Sequence, residues 1–190
     1  EIKNCVESVH LAERAHKKRL PKTVRSILTE GCVESGKDCI MGGALFNNGP
    51  GIETTGVADL ADSMAAVKKL VYEERVFTMD QLVSMLDKNF EGYETQRQIL
   101  IDRAPKYGNG DAYVDDIAKE MMDFVASITG FYKNALGYHF NTGNVPATAN
   151  VPHGEVTWAL PSGRKAGTPL ADGISPYTGY DKNGPTSILR

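Results

Sequence analysis

Cysteine is scarce in this chain: Cys5, Cys32 and Cys39 are the only three in 190 residues, an odd number separated by 27 and 7 positions. Such spacing fits neither a disulfide framework nor paired zinc knuckles, so reduced thiols are expected. Long apolar runs are missing too. Met64-Ala-Ala-Val67 is typical of the longest and far too short for a bilayer, and Glu1-Ile2-Lys3-Asn4 is not a signal peptide. Neither sign of charge dominates, because 21 basic residues against 24 acidic ones leave a net charge of -3, which is no footprint for nucleic acid or an anionic membrane. Gly-x-Ser-x-Gly and His-Glu-x-x-His are both absent, which removes the commonest hydrolase signatures. The histidines do not converge either: His10 and His16 do not share a helical face, and His139 and His153 have no carboxylate at ligand spacing, so no metal is expected. These absences leave a soluble, cytoplasmic, globular chain the size of one ordinary domain, with no nucleic-acid or membrane partner.

What is present reads mostly as helix. Residues 3–19 put Val6, Val9 and Ala12 on one stripe and end in Lys17-Lys18-Arg19, cations suited to the negative end of a helix dipole, before Pro21. A second helix is expected from Thr23 to Glu34. From Gly36 to Gly56 six glycines alternate with turn residues, which predicts a long shaped loop. Over 57–74 the 4-3-4 spacing of Leu60, Met64, Val67 and Val71 predicts a core stripe, with Asp59, Asp62, Lys69 and Glu73 mostly elsewhere. Thr78-Met-Asp-Gln81 matches a capping box opening a helix with Met79, Leu82, Val83 and Leu86 on one face. Further helices are expected at 94–102 and, capped by Asp111, at 112–136, the last burying Ile117, Met121, Phe124 and Ile128. Residues 138–190 hold six of the nine prolines and seven of the nineteen glycines; no helix is expected there, and one strand-like run, Glu155-Val-Thr-Trp158. Both ends read as internal to a longer polypeptide.

Two local motifs carry chemistry at first sight. Gly31-Cys-Val-Glu-Ser-Gly36-Lys37-Asp38 approaches a phosphate-binding loop, but Asp38 stands where a magnesium-ligating hydroxyl belongs and its carboxylate would repel phosphate. Nucleotide binding is therefore the least favoured reading. Cys32 and Glu34 admit two readings: a thiol with an acid–base partner on a turn near Lys37, or a small buried packing cysteine beside a surface glutamate.

Taken together, Glu30-Gly-Cys-Val-Glu-Ser-Gly-Lys-Asp38, Gly42-Gly-Ala-Leu-Phe-Asn47, Ala61-Asp-Ser-Met-Ala-Ala-Val-Lys-Lys-Leu-Val71 and Asn89-Phe-Glu-Gly-Tyr-Glu94 resemble the glycyl-radical enzymes of the pyruvate formate-lyase and diol-dehydratase superfamily. Pro105-Lys-Tyr-Gly-Asn109, Tyr113-Val-Asp115, Pro161-Ser-Gly-Arg-Lys-Ala-Gly167, Pro169-Leu-Ala-Asp-Gly-Ile-Ser-Pro176 and Asn183-Gly-Pro-Thr186 continue the match in that family's order. The resemblance implies an α/β fold, a helix-rich and incomplete segment of a ten-stranded α/β barrel, with 1–137 as helical scaffold and 138–190 as strand and loop lining the barrel. It also implies a mechanism in which a glycyl radical takes hydrogen from a cysteine and the thiyl so formed takes hydrogen from substrate, cleaving a C–X bond in the dehydratase branch. The family's radical loop has no counterpart here. Cys32 sits in a context like the later, non-catalytic cysteine block, so neither Cys32 nor Glu34 is expected to be catalytic and the segment alone is expected to be inactive.

Asn141 to Asn150 resembles the barrel region that faces substrate, making Val145, Ala147 and Thr148, then Asn141, the expected substrate-binding residues. An apolar Val145 favours a partly apolar small molecule over a small polyol, with Thr148 as the orienting hydroxyl. The resemblance further implies a strictly anaerobic enzyme, a homodimer when whole, activated by a radical-SAM enzyme carrying a 4Fe-4S cluster; the segment itself is expected to hold no cofactor. Formate C-acetyltransferase proper and a non-catalytic scaffold or binding fragment are the alternatives.

Overall fold

A computed structural model describes residues 1–145 and 148–189. The chain divides into two units, residues 1–53 with 124–143, and residues 54–123 with 144–190.

In the first unit, α1 (Ile2–Arg19) buries Val6 and ends in His16, Lys17, Lys18 and Arg19, with the Leu20 amide donating to the His16 carbonyl. The helix expected from Thr23 to Glu34 is instead two, α2 (Thr23–Ile27) and α3 (Cys32–Ser35). Gly31 separates them. It takes φ +90°, and a Cβ there would lie 2.6 Å from the Leu45 amide nitrogen, so the chain can fold back only on a glycine. The glycine-rich segment is held by Asp38, whose carboxylate accepts from the amides of Lys22 at 2.6 Å and Ile40 at 3.0 Å, capping a short 3-10 turn at Cys39–Met41. β1 (Gly51–Glu53) pairs in parallel with β2 (Asn141–Gly143), in the register Gly51 to Asn141 and Glu53 to Gly143.

In the second unit, α4 (Val57–Ala66) runs on into a π-helical segment, Val67–Glu73. The expected core stripe is wrong over α4: Leu60 and Met64 are 46% and 52% exposed, while Val57, Ala58, Ala61, Ala65 and Ala66 are buried. The small side chains win because they let α4 pack closely on Val114 and Ala118. At Val67 the wider π turn changes the register, and Leu70 and Val71 become the buried pair, in a cluster with Phe77, Leu82, Met85, Phe90 and Leu100.

The capping box is present as read. The Thr78 hydroxyl accepts from the Gln81 amide at 3.2 Å and the Gln81 side chain accepts from the Thr78 amide at 2.9 Å, opening α5 (Met79–Asp87). Thr78→Ala is expected to cost about 1 kcal/mol of stability, read as a lower urea midpoint at unchanged slope. The buried residues of α5 are Leu82 and Met85, whereas Met79 and Val83 face solvent. α6 (Glu94–Arg103) stops at Ala104, which is extended ahead of Pro105.

α7 (Ala112–Thr129) begins where the Asp111 carboxylate accepts from the Tyr113 amide at 3.0 Å, as expected, but ends before Gly130 and not at residue 136. Val114, Ala118 and Thr129 are its buried positions; Phe124, expected inside, is 63% exposed. Residues 144–189 hold two helices where none was expected, α8 (Asn150–Glu155) and α9 (Pro185–Ile188). Pro152 and Pro185 lie in their first turns, where a missing amide hydrogen is not needed, so these prolines start helices and do not break them. No strand forms over 155–158, which runs from the end of α8 into irregular backbone. No helix among the described residues is long and apolar enough to cross a membrane.

Candidate functional site

Cys32 lies at the start of α3, 3% exposed, and Glu34 beside it is exposed. Burial, then the nearby Cys39, Asp38 and Glu34, push the thiol's pKa above its ordinary value, which disfavours a thiolate nucleophile. Around it the amides of Ser35, Gly36 and Lys37 donate to the carbonyls of Gly31, Val33 and Cys32. They are thus bonded within the turn and form no open cradle for a phosphate.

Asn141 opens β2 in the first unit. Its amide donates to the Pro50 carbonyl at 3.0 Å and its side chain to the Gly49 carbonyl at 3.5 Å. Val145 and Thr148 belong to the second unit and both are exposed. Thr148 has φ +45°, a left-handed conformation that is strained for a β-branched residue, and its carbonyl accepts from the Val151 amide at the head of α8. Ala147 lies outside the described residues.

The second unit buries a set of charged groups, of which Asp59 and Asp62 were expected mostly away from the core stripe of α4. Asp59 and Asp62 are 2% and 0% exposed. Asp59 accepts from the Ala171 amide at 2.6 Å and Asp62 from the Tyr107 amide at 2.7 Å, so one helix holds two distant loops. The second oxygen of each has no partner among the described residues. Burial raises the pKa of both; the Ala171 amide and the Arg164 charge oppose the rise at Asp59, and the Tyr107 amide and the Lys106 charge oppose it at Asp62. Lys106, also buried, is shifted downward by desolvation, with Asp62 opposing; its ammonium donates to the carbonyls of Leu100 at 2.8 Å and Ala104 at 3.3 Å, closing the end of α6.

Arg164 is 1% exposed. Its guanidinium donates to the carbonyls of Gly154 at 2.8 Å, Trp158 at 3.0 Å, Pro169 at 3.3 Å, Thr157 at 3.4 Å and Thr168. The same loop is pinned from outside by Arg97, which donates to the Gly163 carbonyl at 2.7 Å, and by Asn89, which accepts from the Ala166 amide at 2.8 Å. Asn109 holds the following stretch, donating to the Tyr180 carbonyl at 2.8 Å and accepting from the Lys182 amide at 2.7 Å. The Asn89, Asn109 and Arg164 blocks quoted from the sequence are therefore clamps on backbone groups. A cleft of about 610 Å³ in the same unit is lined by polar residues, Tyr107, Asp115, Asp116 and Lys119 among them, and by apolar ones such as Met122 and Ile174. Individual acids such as Asp62 look like solvent-facing helix residues in the sequence; only the Ala-rich face beside them hinted at close packing.

A family model described as pyruvate formate lyase-like matches residues 1–154. The chain belongs to the pyruvate formate lyase-like family. Within it, trans-4-hydroxy-L-proline dehydratase of Clostridioides difficile is 35% identical over 186 residues, covering 97% of this chain and 23% of that protein. Isethionate sulfite-lyase of Bilophila wadsworthia is 47% identical over 137 residues, covering 72% of this chain and 16% of the relative. Among solved structures, the glycerol-bound B12-independent glycerol dehydratase of Clostridium butyricum superposes with a TM-score of 0.87 at 37% identity, over 98% of this chain and 24% of the other. The chain thus spans about a quarter or less of the lengths of these relatives. As a pyruvate formate lyase-like segment it has the expected fold class, helix-rich with a small sheet, matching part of a glycyl-radical enzyme barrel.

Proposed function

We propose that this chain is part of the barrel wall of a glycyl-radical dehydratase or C–X lyase acting on a small molecule in an anaerobic cytoplasm. The observation that carries the reading is the match over 97% of the chain to a relative named as a hydroxyproline dehydratase and over 72% to one named as a sulfite-lyase, joined to a backbone that follows a glycerol dehydratase. The chemistry would come from a glycyl radical and a cysteine elsewhere in a polypeptide of the relatives' length, the radical being installed by a radical-SAM, 4Fe-4S activating enzyme, and the whole enzyme would be a homodimer. The residues here supply rigidity: buried clamps on the 154–183 loops fix the wall, as a reaction that depends on close alignment requires. Val145 and Thr148 in the second unit are proposed as contacts to substrate, and Asn141 in the first unit is proposed separately; the strained backbone at Thr148 supports a positional demand there.

A protein of the relatives' length, once activated, should eliminate water or sulfite from trans-4-hydroxy-L-proline, isethionate or a close analogue, in preference to a small polyol such as glycerol. Conversion of pyruvate and coenzyme A to formate and an acetyl thioester would instead place it with formate C-acetyltransferase. Cys32 is proposed as structural: Cys32→Ala should keep turnover within about threefold of the parent while lowering stability by about 1–2 kcal/mol. Loss of turnover by orders of magnitude, with folding intact, would make Cys32 catalytic.

A further inference from the structure

Two of the three thiols are anchored to one turn of the first unit. The Cys32 amide donates to the Thr29 carbonyl at 3.2 Å, the Thr29 amide to the Ser26 carbonyl at 3.2 Å, and the Cys39 amide to the Ser26 hydroxyl at 2.9 Å. Between the two cysteines the chain turns back on Gly36, at φ +62°, and the Lys37 amide donates to the Cys32 carbonyl at 3.2 Å. Only Asp38 separates that contact from Cys39, and its carboxylate is fixed by the amides of Lys22 and Ile40. A disulfide needs Cα atoms no more than roughly 7 Å apart, so two cysteines this close in sequence require a loop that doubles back. This one does. Their exposure differs: Cys32 is 3% exposed, whereas Cys39 is half-buried and lines a pocket of about 250 Å³ with Glu13, His16, Asn48 and Tyr138 among its neighbours. A small solute therefore has a path to Cys39 and not to Cys32. Cys5, near the start of α1, is exposed and belongs to neither turn.

We propose that Cys39 and Cys32 are an oxidation site, converted to an intramolecular disulfide by a hydroperoxide such as hydrogen peroxide. The peroxide enters the pocket and oxidises the Cys39 sulfur to a sulfenic acid, releasing one water. The Cys32 sulfur then attacks that sulfur: an S–S bond forms, the S–OH bond breaks, and the hydroxyl leaves with the Cys32 proton as a second water. Two thiols give up two electrons, and the O–O bond of the peroxide takes them. Burial and the surrounding charges hold Cys32 as a thiol, which protects it from being oxidised first. The new bond ties the start of α3 to the 3-10 turn at Cys39–Met41 and so closes the glycine-rich segment at its base.

The test is peroxide treatment of a folded protein of the relatives' length that contains this chain, carried on until the exposed Cys5 is oxidised, then thiol blocking, tryptic digestion and mass spectrometry. Lys37 lies between the two cysteines, so trypsin separates peptide 26–37 from peptide 38–68 and a disulfide leaves them joined, two hydrogens lighter than their sum. The joined pair is the expected product, and a dithiol reductant should return both peptides to free thiols. Cys39→Ser removes the entry point, and Cys32 should then stay reduced under the same treatment. The proposal is overturned if Cys39 proceeds to sulfinic or sulfonic acid while Cys32 remains a thiol, if Cys39 pairs with Cys5 or with a second copy, or if both thiols are unchanged once Cys5 is oxidised. Oxidation of Cys32 in the folded Cys39→Ser protein would equally overturn it, since the buried thiol would then need no partner to react.

Discussion

Arg164→Ala is expected to lower the unfolding free energy by about 3–5 kcal/mol, the largest loss from any single substitution considered for this chain. The guanidinium is almost wholly buried and donates to carbonyls spread from Gly154 to Pro169. Removing it leaves those acceptors in a site that water enters poorly, and Asp59 loses the positive charge that opposes its protonation. Arg164→Lys keeps the charge but lacks the planar fork, and should fall between parent and alanine variant. Urea unfolding followed by circular dichroism reads all three. A loss below about 1 kcal/mol for the alanine variant would mean that the loop is held by Arg97 and Asn89 and that Arg164 is incidental.

The second large effect is on pH dependence. Burial pushes the pKa of Asp62 up to about 7, so the folded state holds this proton more tightly than the unfolded chain does. The stability it contributes is complete below the ordinary carboxylate range and is lost as pH rises from there through about 7. Lys106 is shifted the other way, down to about 8, so its buried ammonium opposes folding below that pH and the penalty fades as pH climbs past it. Stability should therefore fall between pH 5 and 7.5 by an amount on the order of 2 kcal/mol. Asp62→Asn keeps an oxygen to accept from Tyr107 and removes this titration, so its slope over that range should be clearly shallower than the parent's, the remainder coming from Asp59, whose pKa burial also raises. An unchanged slope would assign the dependence to Asp59 or to Asp115, whose carboxyl burial also holds above its ordinary pKa.

Features set by neighbouring residues were legible in the sequence. The Thr78 box, the Asp111 cap and the basic end of α1 each depend on side chains within a turn of the backbone they serve. The core face of α4 was not legible, since period alone favoured the large residues Leu60 and Met64, while the structure uses an alanine face and a π register that no spacing rule anticipates. Nor were the buried acids: the amides that hold Asp62 and Asp59 come from 45 and 112 residues further along the chain. The helices at Asn150–Glu155 and Pro185–Ile188 were not legible, because a proline in a Pro- and Gly-rich stretch gives no sign of whether a helix begins beside it. The family resemblance supplied what spacing could not, and its Asn89, Asn109 and Arg164 blocks have a physical role as backbone clamps. Asn141, Val145 and Thr148 entered only through that resemblance and have no independent local signature.

Electron paramagnetic resonance on a polypeptide of the relatives' length that contains this chain, after anaerobic incubation with the proposed radical-SAM activating enzyme, tests the central claim most directly. A glycyl-centred radical signal, quenched by oxygen, is predicted. Its absence from a folded preparation would contradict the account.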